Sequence, residues 1–83
     1  MHRIVDVRVI QGYTLLLRFS DGRTKCVDLE PFIGRGISAA LLDKDYFRQV
    51  SIDSAGGIAW PNGYDFCPNY LYEDVPAVES VAS

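Results

Sequence analysis

The sequence predicts an α+β fold: an antiparallel three-stranded meander, a short second hairpin, and two or three short helical segments. Three observations predict it. Residues 3–29 alternate apolar and polar side chains in three runs separated by Gln11-Gly12 and Ser20-Asp21-Gly22, the period and punctuation of hairpin-connected strands. Residues 30–47 break that period with Pro31, Gly34 and Gly36 and then supply helix formers in short lengths. Residues 60–72, W-P-N-G-Y-D-F-C-P-N-Y-L-Y, gather the only tryptophan and three of the five tyrosines around two prolines, and the rest of the chain reads as scaffold for this stretch.

In the first run, Arg3 to Ile10, Val5, Val7 and Val9 are expected on one face with Asp6 and Arg8 on the other, because side chains alternate along a strand. Tyr13, Leu15, Leu17 and Phe19 share a face of the second run, and Thr14, Leu16 and Arg18 point away from them. In the third, Lys25, Val27 and Leu29 lie opposite Thr24, Cys26 and Asp28. Glu30 to Ile33 then makes one tight turn. Ile37 to Leu42 is helical with Ser38 as its N-cap, and Asp43 caps a second short piece through Phe47. Val50 to Ile52 and Ile58 to Trp60 form the second hairpin across the breaker-rich residues 53–57.

The aromatic stretch reads as a strand end, a tight turn and one turn of helix. Pro61 cannot donate to a ladder, and Pro-Asn-Gly is turn chemistry. Pro68 suits the first position of a helix, where its missing N–H would have had no partner. Asp65 is expected to hold the corner in an Asx-turn. Trp60, Asn62, Tyr64, Asp65 and Tyr70 are therefore the candidate interaction or ligand surface, since Tyr and Trp join a large apolar body to one polar atom. The same rings serve equally well as the plug of a small core.

The chain has 83 residues with 48% hydrophobic and 23% charged positions, the balance of one globular domain. Residues 1–75 form that domain and residues 76–83 a frayed tail. A domain of this size buries only about 60% of its extended surface, so self-association is expected to add stability. Five bases face two acids in residues 1–27, whereas three bases face nine acids in residues 28–83, for a net charge of −3. A pI near 4.8 argues against direct nucleic-acid binding, which draws on clustered Lys and Arg. No apolar run is long enough for a membrane span, and charge near the start does not suit a signal peptide. Localisation is expected to be cytoplasmic. Cys26, Cys67 and a lone His2 do not make a zinc set, so no metal or cofactor is expected, and each cysteine is read as a small buried hydrophobe.

F-S-D-G at Phe19–Gly22, V-D-L at Val27–Leu29, L-L-D-K-D-Y-F at Leu41–Phe47 and the W-P-N-G-x-D element followed by P-N-Y-L-Y together resemble a widespread family of small bacterial domains of unknown function. The resemblance spans residues 4 to 74 and is most specific in the W-P-N-G-x-D element. It implies a compact α+β fold with no established catalytic residue. It also implies settings in which such domains stand alone, beside another small protein in a toxin–antitoxin-like arrangement, or ahead of a helix-turn-helix domain. Eleven residues follow Tyr72, too few for two helices, so any link to DNA is expected to run through a partner.

The leading functional expectation is a small protein-interaction or regulatory module, antitoxin-like in its dependence on a partner, which uses an open sheet edge and the exposed aromatic corner. The rival is a small-ligand-binding protein or enzyme in which Asp65 with Asp28 or Asp53 supplies carboxylates and Tyr64, Tyr70 or Tyr72 supplies donors. Catalysis is not expected, for want of a histidine in the body of the domain or an activated nucleophile. A homodimer is also expected, because Leu16 and Ile10 give the sheet apolar residues on its second face.

Overall fold

Alternation in the first thirty residues becomes a meander in the computed structural model, which describes residues 2–78. Strands β1 (Ile4–Gln11), β2 (Thr14–Phe19) and β3 (Thr24–Asp28) pair antiparallel in that order. The second strand behaves as its pattern requires: Leu15, Leu17 and Phe19 are sealed in the core, and Leu16 and Arg18 face out.

The first strand departs from strict alternation. Its register against β2 slips between Ile4 and Asp6 and again between Val9 and Gln11, so at each point β1 carries an extra residue and bends. The first bulge turns Val5 outward, 53% exposed, and brings Ile4 into the core in its place. Val7 and Val9 keep the inward face, half-buried; Val5 does not share it. Asp6 stands opposite Arg18 in the register but meets Arg8 of its own strand, at 3.6 Å on the exposed face.

Residues 30–47 form short helices in series. Glu30–Phe32 and Gly36–Leu42 are 3-10 helices, and α1 (Lys44–Phe47) is a single α-turn. Ser38 is not the N-cap of the second piece. Arg35 holds that position, and the Ser38 hydroxyl lies inside the helix, accepting from the Gly34 and Arg35 N–H groups and donating to the Arg35 carbonyl. Gly34 and Gly36 bring the chain in tightly enough that the serine reaches back rather than forward. Asp43 does cap α1, accepting from the Asp45 N–H at 2.9 Å.

The second hairpin, β4 (Ser51–Ile52) and β5 (Ile58–Ala59), gains a third strand, β6 (Asp65–Phe66), in the order β4-β5-β6. Two residues are too few to show a period, so β6 carries no strand pattern of its own. The two sheets are joined where the Ile4 N–H donates to the Gly56 carbonyl at 2.7 Å. Gly56 sits at φ +88, and a side chain there would strike Arg3 Cγ at 2.6 Å. Gly57 is packed against the Phe66 carbonyl and the Pro68 ring, which lets β5 and β6 approach.

Helix α2 (Pro68–Glu73) begins on its proline as expected. Lys25, on the inward side of β3, donates from Nζ to the carbonyls of Leu71 and Tyr72 at 2.8 and 3.0 Å, closing the last turn of α2. Burial, and then the Arg23 charge, hold the Lys25 ammonium below its ordinary pKa. Leu41, Phe47, Ile58, Trp60, Phe66, Leu71 and Val75 join the inner face of the meander in one core.

Cys26 is half-buried, whereas Cys67 is exposed. The expectation that both are buried fails at Cys67 because it precedes Pro68 in extended backbone at the cap of α2, on the outside of the bend. Of the expected tail, residues 79–83 lie outside the described residues, and the Val78 N–H donates to the Cys26 carbonyl at 2.7 Å along the outer edge of β3. Among the described residues, no helix is long and apolar enough to cross a membrane.

Candidate functional site

The bend after β5 is built from the inside outward. Trp60 is 3% exposed, and its ring packs with those of Phe47, Tyr64 and Phe66 at centroid distances of 5.6, 6.2 and 6.1 Å. Its indole Nε1–H donates to the Phe47 carbonyl at 2.9 Å, which satisfies the one polar atom that burial would otherwise penalise. Trp60 is thus the floor of the corner and is not part of an exposed surface.

Above it the turn closes on itself. The Trp60 N–H donates to the Tyr64 carbonyl and the Gly63 N–H to the Trp60 carbonyl, both at 2.9 Å. Asn62 does the work expected of Asp65: its Oδ1 accepts from the Tyr64 N–H at 3.1 Å, and its Nδ2 donates to the Ile37 carbonyl at 3.0 Å. One amide therefore holds the turn and ties it to the 3-10 helix at Gly36–Leu42. Asp65 is instead a strand residue, exposed and opposite Ala59. Its backbone is committed to the β5–β6 ladder, so the Asx role passes to the side chain nearer the turn's start.

Tyr64 is half-buried, and its hydroxyl lies 3.4 Å from the Phe32 carbonyl, to which it donates. Tyr70, on α2, is 38% exposed. Its ring stacks on Phe66 at 6.3 Å and meets Phe32 edge-on at 6.3 Å. The corner is a graded structure, with Trp60 sealed, Tyr64 and Asn62 at mid-depth, and Tyr70 and Asp65 open. No cavity is found among the described residues.

The other carboxylates considered for chemistry serve local turns. Asp28 Oδ1 accepts from the Glu30 N–H at 3.1 Å. Asp53 Oδ1 accepts from the N–H groups of Ala55 and Gly57 at 2.9 and 3.0 Å. Each sits on a different element from Asp65, at the end of β3 and in the β4–β5 turn.

Sequence reasoning missed a second polar cluster, at the opposite end of α2. The His2 ring stacks on Tyr72 with centroids 3.5 Å apart, and its Nε2 lies 3.1 Å from Glu73 Oε2. Tyr72 donates to Asp21 Oδ2 at 2.8 Å, under the Arg23 guanidinium. The Arg23 N–H and then the Tyr72 hydroxyl, both donating to Asp21, hold its carboxyl below the ordinary value. The same Tyr72–Asp21 bond raises the phenol. No local pattern announces this cluster, because about fifty residues or more separate Asp21 and His2 from α2 in the chain.

With this geometry in view, comparison with known families finds a match to the model described as "Protein of unknown function (DUF2442)", over residues 4–77. The chain belongs to that family. The match takes in every strand and helix from β1 to α2, so the DUF2442 region is the whole α+β unit, including the aromatic corner. No curated protein and no solved structure matches the chain.

Proposed function

We propose that this DUF2442 domain is a protein-interaction module whose contact surface is the open rim of the corner: Tyr70 and Asp65 outermost, with Tyr64 and Asn62 behind them. The observation that carries the reading is Tyr70, a ring left 38% exposed yet fixed between Phe66 and Phe32. A large amphipathic side chain already held in place loses little freedom when a partner covers it, which is the character of an interface anchor. The layers beneath, sealed by Trp60 and pinned by Asn62, make the surface rigid. A non-catalytic role accords with Asp28 and Asp53, whose carboxylates are engaged by backbone N–H groups of their own turns. The toxin–antitoxin-like settings implied by the resemblance point to the product of the adjacent gene as the partner to test.

The test is co-expression of the domain with that adjacent product, followed by affinity purification and titration. Tyr70→Ala is expected to weaken the complex by about 2 kcal/mol, in the range of an anchor residue, in a protein whose fold is intact by circular dichroism at the temperature of the titration. Retention of the partner at wild-type affinity by Tyr70→Ala and by Asp65→Lys would sink the proposal.

A further inference from the structure

Because β4 lies against β1 where the two sheets meet, the outer edges of the strands are β3 and β6. On β3, Val78 bonds to the Cys26 carbonyl. On β6 the edge groups follow from the ladder with β5. The Trp60 N–H donates to the Tyr64 carbonyl, and Ile58 stands opposite Phe66, so Tyr64 and Phe66 hold the bonded positions. Asp65 lies between them in a non-hydrogen-bonded pair with Ala59, which turns its own N–H and C=O away from β5. Cys67, two residues on in extended backbone, turns its N–H the same way. Among the described residues no other backbone group bonds to these three, and Gly63, Asp65 and Cys67 are all exposed.

The side chains along this edge differ between its two faces. The Asp65 carboxylate is exposed and meets no cation among the described residues. Tyr64 and Phe66 point to the opposite face, where the Tyr70 ring stacks on Phe66 and remains 38% exposed. A second copy of β6 does not suit the edge. Antiparallel self-pairing centred on Asp65 opposes two carboxylates. Moving the centre by one residue either way sets Asp65 against the Gly63 N–H or the Cys67 carbonyl, which already bond to the Trp60 carbonyl and the Leu71 N–H respectively.

We propose that an extended segment of a different chain pairs antiparallel with β6, with a lysine or arginine opposite Asp65 and an apolar residue on each side of it. The basic residue exchanges backbone N–H and C=O bonds with Asp65 and sets its cation beside the carboxylate, while its two neighbours face Tyr64, Phe66 and Tyr70. The proposal rests on the reading of the rim as a protein contact and supplies the chemistry of the partner: apolar, basic, apolar, in strand conformation.

The test is an amide NMR titration of the full chain with the end-capped peptide Thr-Val-Arg-Val-Thr, taken to millimolar concentration. The peptide is expected to shift the Tyr70 ring signals and to slow hydrogen exchange at the Asp65 and Cys67 amides. Methylating the arginine backbone nitrogen is expected to abolish binding, whereas methylating the valine nitrogen after it is tolerated, because that group points away from β6. Asp65→Lys, a change at an exposed position whose fold is checked by circular dichroism, is expected to bind this peptide about fivefold more weakly, the effect of like charges set directly opposite. The same variant is expected to bind the glutamate version of the peptide instead. Tyr70 shifts without protection of the two amides leave the rim as the contact and overturn the strand pairing. No response at millimolar peptide also overturns the pairing, and the rim reading is then decided by its own Tyr70→Ala titration. Binding that survives methylation at the arginine but not at the valine overturns the antiparallel direction, and equal binding of both peptides to Asp65→Lys overturns the role of the carboxylate.

Discussion

The indole Nε1–H of Trp60 donates to the main-chain carbonyl of Phe47 at 2.9 Å, joining the corner after β5 to the end of α1 across the core. Both residues are almost fully buried, at 3% and 0% exposure. Replacing Trp60 by Phe keeps an aromatic ring but leaves that carbonyl with only the longer bond from the Val50 N–H, at 3.3 Å. Trp60→Phe is expected to lose about 1–3 kcal/mol of unfolding free energy, from the lost hydrogen bond and the smaller ring together, measured as a lower urea midpoint at unchanged slope. An unchanged midpoint would mean that the Val50 bond suffices for Phe47 and that the core closes over the missing ring.

Gly57, just before β5, packs directly against the Phe66 carbonyl of β6. A methyl group there would land on the Phe66 carbonyl and 3.0 Å from Pro68 Cδ, and backbone cannot swing aside as a flexible side chain does. Gly57→Ala is expected to destabilise by about 1–3 kcal/mol, as overpacking does, and to speed amide exchange in both strands. Wild-type melting in this variant would show that the third strand of the small sheet can move without cost.

The meander was legible in the sequence because strand period and turn residues agree over almost thirty positions, from Val7 and Leu15 to the Asp21-Gly22 turn. What escaped was decided by contacts distant in the chain or by elements too short to carry a period. The bulge that exposes Val5 depends on how β1 meets β2 and Gly56. Strand β6 is two residues long. The corner was located correctly as a bend, but the Asx role expected of Asp65 falls to Asn62, because the β5–β6 ladder takes up Asp65. Tyr70 and Trp60 look alike as aromatic residues near prolines, whereas one is rim and the other floor. That difference follows from Phe47, Phe32 and Phe66, which surround the two rings unequally.

The Tyr72–Asp21 bond predicts a pH dependence with two limbs. The Asp21 carboxyl is held below its ordinary 3.8 in the fold, so its contribution is complete above that value and is lost as the pH falls through 3.8 toward the folded value. Tyr72 is raised above its ordinary 10.0, so its contribution is complete below that value and is lost as the pH climbs through 10.0 toward the folded one. Melting temperatures taken across pH are expected to show Asp21→Asn with a shallower acid limb than the wild type, and Tyr72→Phe with both limbs reduced. Identical profiles in all three proteins would show that water replaces this bond without penalty.

Lys25 presents two opposing effects, and their balance is testable. Burial holds its ammonium below the ordinary 10.5, so between the folded value and 10.5 the unfolded chain binds more protons and stability rises with pH. At neutral pH that burial is an unrecovered cost. Against it stand two charge-assisted bonds from Nζ to the Leu71 and Tyr72 carbonyls, at the end of α2 where a cation also suits the helix dipole. Helix α2 is only six residues long and has little stability of its own, so the bonds are expected to outweigh the burial. Lys25→Met, which keeps the apolar stem, should cost about 1 kcal/mol. It should also accelerate exchange at the Asp74 and Val75 amides, both of which donate to the Tyr70 carbonyl in the same turn. A stabilised Lys25→Met protein with slow exchange at those two amides would reverse the balance and show that the ammonium is tolerated at this position rather than needed there.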